Sequence, residues 1–344
     1  MGAYNGLFDT LGLREWCDEE KIKSVANMAD LLAQVRGGAD VAKSWWDISF
    51  PSLNVLNESC KAIPRTRDVT GGVEQGFLII KDDLKFILDP ITQPLSWLLE
   101  GSLYTFTNMP WWVLIPLILA AVFYTSRSWS IVSFVGTCFI FFAFIDHFTY
   151  AIQTLSIIFV CTGLCVMIGV PIGVGMSKSN RFRRFITPVL DMLQTLPSFV
   201  YLIPLIFLFS ATEPKLYGIA IIMYAIVPVI RLTDLGVRLV EKDVIEAADA
   251  FGMTARQKLF GVEIPLALPN IMAGINQTIM MALAMVVIAS LVSAPGLGVL
   301  VLRGIRSLDL GVGLISGLCI VLLAVILDRV SKATLARMNV AKDY

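Results

Sequence analysis

The chain has 344 residues, and its 27 basic and 27 acidic side chains give a formal net charge of zero, which offers nothing to nucleic acid. Hydrophobic residues make up 56% and charged ones only 16%, with a mean hydropathy of +0.76, so the chain is expected to live in a lipid bilayer. A single histidine, His147, argues against a Ser-His-Asp hydrolase or a multi-histidine zinc site, and the six cysteines contain no CxxC pair that would suggest a metal site.

Residues 1–105 read as a separate N-terminal tail in which 15 acidic residues outnumber 10 basic ones. No basic start leads into an apolar core and a small-residue cleavage site, so a cleaved signal peptide is not expected. The stretch "FLIIKDDLKFILDPITQPLSWLLEG" places its apolar residues on one helical face and predicts amphipathic helices at a membrane surface. A loosely ordered, solvated tail is the alternative for residues 1–70. Cys17 and Cys60 lie in this tail, and whether they pair depends on the compartment it meets.

Residues 106–344 read as the membrane domain. A spanning helix needs about 20 mostly apolar residues. Such runs occur near 109–124, 130–145, 150–176, 188–211, 216–230, 271–293 and 311–327, which predicts an all-α polytopic bundle of about seven spans. Basic residues then set the orientation. Arg127, the 177–187 and 231–268 connections and the C-terminal end together carry 14 bases, against Lys215, Arg303 and Arg306 in the opposite loops. The richer side is expected to be cytoplasmic, with the C-terminus inside and the N-terminal tail outside.

Between the fifth and sixth runs stands a compact polar module, "EAADAFGMTARQKLFGVEIPLALPN" (246–270), which overlaps the predicted cytoplasmic loop 241–265. Asp243 with Glu246 makes a capping-box pattern, and Val244, Ala247, Ala248 and Phe251 follow at helical spacing. Gly252 sits where a helix ends in a left-handed residue, and Thr254 with Gln257 opens a second short helix. Pro265 and Pro269 are expected to end it and return the chain to the membrane. Such a helix–turn–helix on the inner face suits a lever pushed by a cytoplasmic partner. In the bland alternative, Glu246 only caps its own helix and the alanines pack on the membrane domain.

The spacing Glu-Ala-Ala, three residues, Gly, nine residues, then aliphatic-x-aliphatic-Pro is met by Glu246, Ala247, Ala248, Gly252, Val262, Ile264 and Pro265. It resembles the EAA loop of permease subunits of binding-protein-dependent ABC importers. "DMLQTLPSFVYLIPLIFLF", "VIRLTDLGVRLVEKDVIEAADAFG", "NIMAGINQTIMMALAMVVIASLV" and "LRGIRSLDLGVGL" are similar to the glycine betaine and proline betaine (quaternary amine) branch of that family, and the likeness covers roughly residues 150–330. The resemblance implies a type I ABC importer permease in a bacterial inner membrane, with those seven residues contacting a separate ATPase subunit. It further implies an external substrate-binding protein and a second permease copy. ATP and Mg would be held by the ATPase, with no cofactor in this chain and no catalytic residue.

The residues agree that the chain is no ATPase itself. "GVPIGVGMSKS" has Met176 and Ser177 between Gly175 and Lys178, so it is not a phosphate loop. Phe199, Tyr201 and Phe207 in the fourth run, with Asn276 and Gln277 in the sixth, are candidates for a substrate path, because aromatic faces attract quaternary ammonium groups. Betaine, proline betaine, choline and trimethylamine N-oxide all fit such chemistry. The competing reading is an ion-gradient-driven secondary transporter, which the lack of a carboxylate deep in any span disfavours. An intramembrane enzyme lacks any nucleophile, base or metal constellation.

Overall fold

The structure, a computed structural model, describes residues 66–340. Expectations for residues 1–65, the Cys17–Cys60 pairing among them, lie outside the described residues. Within the described residues every regular element is helical. The elements are α1 (Thr66–Asn108), α2 (Trp111–Ser126), α3 (Trp129–Phe144), α4 (Phe148–Lys178), α5 (Asn180–Thr195), α6 (Leu202–Leu208) and α7 (Pro214–Arg238). They continue as α8 (Lys242–Ala250), α9 (Ala255–Lys258), α10 (Ile264–Ala289), α11 (Leu297–Ser307) and α12 (Leu310–Val340).

Two compact units are distinguished, Met1–Asp82 and Asp83–Tyr344. Within the second unit Leu95, Ser96 and Leu99 of α1 are buried, and the side chains of Leu95 and Leu99 close over Gly218 of α7. The amphipathic stretch is thus part of one 43-residue helix, not several. Pro90 and Pro94 lie inside it without ending it.

Among the described residues, four helices are long and apolar enough to cross a membrane, α4, α7, the continuous run Ala255–Val292 and α12, and the number rises to six if each of two sharply bent pairs is one span. The expected seven is reached only by also counting α3, an apolar helix of 16 residues. The fourth expected run, 188–211, is broken. Leu196 takes an extended conformation, φ −67° and ψ 133°, as a residue before proline is pushed to do, and the chain turns by 99° between α5 and the 198–208 segment.

Pro265 behaves differently. Its ring removes the amide that would bond Gly261, yet the helix does not stop. The preceding turn, Leu259–Glu263, widens to π geometry, with the Ile264 amide donating to the Leu259 carbonyl. The second leg of the polar module therefore runs unbroken from Ala255 into the membrane, and the expected stop at Pro265 and Pro269 does not occur.

The core is built where α7 packs against α4 and α10. A Cβ at Gly173 would lie 2.6 Å from both the Ile230 carbonyl oxygen and the Thr233 Cβ, so α4 and α7 meet backbone to backbone. Small residues at such crossings replace the hydrophobic drive that lipid removes. His147 belongs to the scaffold: Nδ1 lies 2.6 Å from the Ile145 carbonyl oxygen and Nε2 lies 3.3 Å from Ser316 Oγ on α12.

Candidate coupling loop and its anchorage

The polar module folds as a helix, a glycine turn and a second helix. α8 starts one residue before Asp243, after Glu241, with no side-chain cap, so the Asp243–Glu246 capping box does not form. Asp243 instead sits in the first turn, where a carboxylate favours the helix dipole. The C-terminal end follows expectation. Gly252 has φ +72°, and the Met253 amide donates to the Ala248 carbonyl at 3.1 Å, closing the turn. The second capping box is complete: the Thr254 amide donates to Gln257 Oε1 at 2.9 Å, and Thr254 Oγ1 accepts from the Gln257 amide at 3.4 Å. Lys258 Nζ reaches both carboxylate oxygens of Asp249, at 2.6 and 2.9 Å, and braces one leg against the other.

The apolar positions of α8 divide between two directions. Val244 is half-buried and lines a groove of about 300 Å³ with Leu239, Leu266 and Asn270 among others, and Ala248 is buried. Glu246 and Ala247 are exposed, and Phe251 and Phe260 project into solvent with 88% and 69% of their surface free. The expected single face is therefore split, one alanine packing inward and the other facing outward. Val262, Ile264 and Pro265 lie partly buried where the module enters the membrane helix.

Charged pairs anchor the module, and sequence reading missed them. Asp234, buried to 4% on α7, accepts from Arg238 Nε at 2.8 Å and pairs with Arg183 Nε at 3.0 Å. Arg238 Nη2 also donates to the Met176 carbonyl at 2.6 Å. Glu263, buried to 2%, pairs with Lys178 at the end of α4, and Arg231 pairs with Asp191 of α5. These bases entered the sequence reading only as counters of orientation. The usable signal was an acid at each end of the loop, Asp234 and Glu263, beside an apolar run.

The substrate-path candidates stand on the segment Ser198–Leu208 and on α10. Phe199 and Phe207 are exposed on the chain, as is Gln277. Tyr201 stands in the short turn Ser198–Tyr201, and its side chain lies outside the described ones. Asn276 is held by α12: its Nδ2 donates to Asp328 Oδ1 at 2.9 Å, and Ser331 Oγ donates to its Oδ1 at 2.7 Å.

Residues 166–340, which contain the whole polar module, match the family described as the binding-protein-dependent transport system inner membrane component. The chain belongs to that family. It is 37% identical to the glycine betaine/proline betaine transport system permease protein ProW of Escherichia coli, over 86% of this chain and 82% of that protein. The glycine betaine transport system permease protein OpuAB of Bacillus subtilis is 41% identical over 63% of this chain and 79% of its own length. The glycine betaine/carnitine transport permease protein GbuB of Listeria monocytogenes is 38% identical over 71% and 87%. Among solved structures, an inward-facing form of the MetNI methionine ABC transporter superposes with a TM-score of 0.50 at 18% identity, covering 54% of this chain and 93% of that one. That likeness concerns the fold alone.

The protein is thus a multi-pass inner-membrane permease of an ABC importer, the translocation component and not the enzyme. ATP hydrolysis belongs to a separate subunit, and a binding protein delivers the solute. Family membership sets aside the ion-driven secondary transporter.

Proposed function

We propose that this permease imports glycine betaine or a closely related methylated amine, such as proline betaine, carnitine or trimethylamine N-oxide. The support is lineage: relatives named for glycine betaine, for carnitine and for trimethylamine N-oxide transport all align with the membrane domain. Residues 241–265 are the coupling loop, with Glu246, Ala247, Ala248, Gly252, Val262, Ile264 and Pro265 serving contact with the ATPase, which holds ATP and Mg. The observation that carries this reading is the braced, solvent-facing module closed at Gly252. The basic side is cytoplasmic, the tail before residue 106 is external, and two permease copies pair in the working assembly. Phe199, Tyr201 and Gln277 remain the substrate-path candidates; Asn276 serves that path only if it leaves Asp328.

A detergent pull-down with the co-expressed ATPase tests the loop, using wild type beside Gly252→Asp. A Cβ at Gly252 would meet nothing within 4 Å inside this chain, and Asp tolerates the left-handed conformation better than most residues. The left-handed φ still strains any side chain, so Gly252→Asn, which keeps that strain without the charge, is the control that assigns a loss to the partner. Retention of the ATPase by wild type and its loss by the variant supports the reading, whereas normal transport by Gly252→Asp removes it. Uptake of labelled glycine betaine, carnitine and trimethylamine N-oxide then ranks the substrates.

A further inference from the structure

We propose that Lys178–Glu263 and Arg183–Asp234–Arg238 form one ionic joint that clamps both ends of the coupling loop to the same segment of the membrane domain. The five side chains are then positioning residues for ATP-driven transport. The inference rests on the reading of residues 241–265 as the coupling loop.

The loop leaves the membrane domain at the end of α7 and returns through the π turn Leu259–Glu263. At the exit from α7, Asp234 is held by Arg238 from its own helix and by Arg183 from α5, and Arg238 also reaches the Met176 carbonyl of α4. At the return, buried Glu263 is held by Lys178, the last residue of α4. Both feet of the loop thus stand on residues 176–183. Between the feet, the Lys258–Asp249 pair keeps the two legs from moving separately.

A purely structural junction needs no buried charge. Well-packed apolar side chains would hold α7 to α10 as firmly, and a carboxylate buried to 2% is costly unless its partner stays. What ion pairs add is direction and a definite set of partners, an element whose equilibrium a push from the loop can bias. A push on α8 carried through this joint moves the end of α4 and the start of α5 together. α5 leads directly into the 99° break at Leu196, and the turn beyond it lies against α10. The sharply bent element is therefore the one to which the joint delivers movement.

The test uses the complete importer, with ATPase and binding protein, in proteoliposomes supplied with glycine betaine. Glu263→Gln keeps the side-chain volume, and Lys178, 45% exposed, can be solvated when left alone. Glu263→Gln and Asp234→Asn are expected to retain the ATPase in a pull-down and to hydrolyse ATP. Solute imported per ATP should fall roughly tenfold, within the usual span of coupling between two sites. Lys178→Arg should keep normal stoichiometry, as should the exchange Lys178→Glu with Glu263→Lys. A role confined to folding would lower yield and leave solute per ATP unchanged in what assembles. The joint is overturned if both neutral variants import at the wild-type ratio, or if they release the ATPase, which would make these residues part of docking. It is also overturned if Lys178→Arg is as uncoupled as Glu263→Gln. Failure of the coupling-loop reading shows separately, as normal transport by Gly252→Asp whatever the joint variants do.

Discussion

The two ends of α7 solve the same problem with opposite charges. Near its start Lys215, buried to 5%, is paired with Asp89 of α1 at 2.7 Å and with its neighbour Glu213 at 2.8 Å. Near its end Asp234 is paired with Arg183 and Arg238. The helix dipole favours anions at the start and cations at the end, so each buried charge is of the disfavoured sign and each is overcompensated by two of the favoured sign. The partners differ in reach. At the Lys215 end one partner is two residues away and the other fastens α1. At the Asp234 end the partners reach α5 and, through Arg238, the Met176 carbonyl of α4, while Glu263 at the return of the loop has a single counter-ion, Lys178 of α4. One end is a fastening with a spare, and the other is a junction of moving parts.

That contrast is most exposed by removing single partners. Lys178→Met leaves Glu263 buried and alone among the ion pairs described, and should cost about 3–5 kcal/mol, read as a large fall in apparent melting temperature in detergent. Combining it with Glu263→Gln should recover most of the loss, since no uncompensated charge then remains. At the Lys215 end, Asp89→Asn or Glu213→Gln alone should cost about 1 kcal/mol or less, because the other carboxylate stays. The double substitution strands Lys215 and should cost about 3 kcal/mol. If the single substitutions at Lys215 cost as much as Lys178→Met, the idea of a spare partner fails.

The same contrast shows what a sequence can carry. Local signals were legible: the Thr254–Gln257 capping box, the glycine turn at Gly252 and the spacing of Glu246 to Pro265 all lie within a few helical turns. The ion pairs were not. Lys178 and Glu263 are far apart in the chain, and each separately looks like an ordinary residue of a membrane-adjacent loop. Prolines were ambiguous for a related reason. Pro197 breaks its helix because Leu196 becomes extended, while Pro265 does not because Ile264 stays helical, φ −63° and ψ −47°, behind a π turn. Packing decides which response is cheaper, and packing is not local. The same holds for Asn276, legible as a polar group in a span but not as a partner of α12.

A smaller effect separates backbone shape from charge at the coupling turn. Gly252→Val forces a β-branched residue to φ +72° and should cost about 1–2 kcal/mol, confined to the module. Gly252→Asn should cost less. If ATPase retention follows that order while the melting temperature hardly changes, the turn's shape matters to docking. If Gly252→Val and Gly252→Asn behave alike and only Gly252→Asp fails, the partner rejects charge and the shape is secondary.

The smallest expected effect lies at Thr254, and it asks whether the module or its anchorage is the weaker link. Thr254→Ala removes the hydroxyl that accepts from the Gln257 amide and should cost about 1 kcal/mol at the start of α9. Lys258–Asp249 continues to brace the legs, so hydrogen exchange should quicken at the first amides of α9, while those of α7 and α10 keep their protection. Thr254→Ser, which keeps the capping oxygen, should exchange like wild type. A stiff lever standing on an ionic joint tolerates this fraying, and solute imported per ATP should stay within about twofold of wild type. Should it fall as far as in Glu263→Gln, rigidity of the second leg is itself limiting, and the joint is only one of several places where the push can be lost.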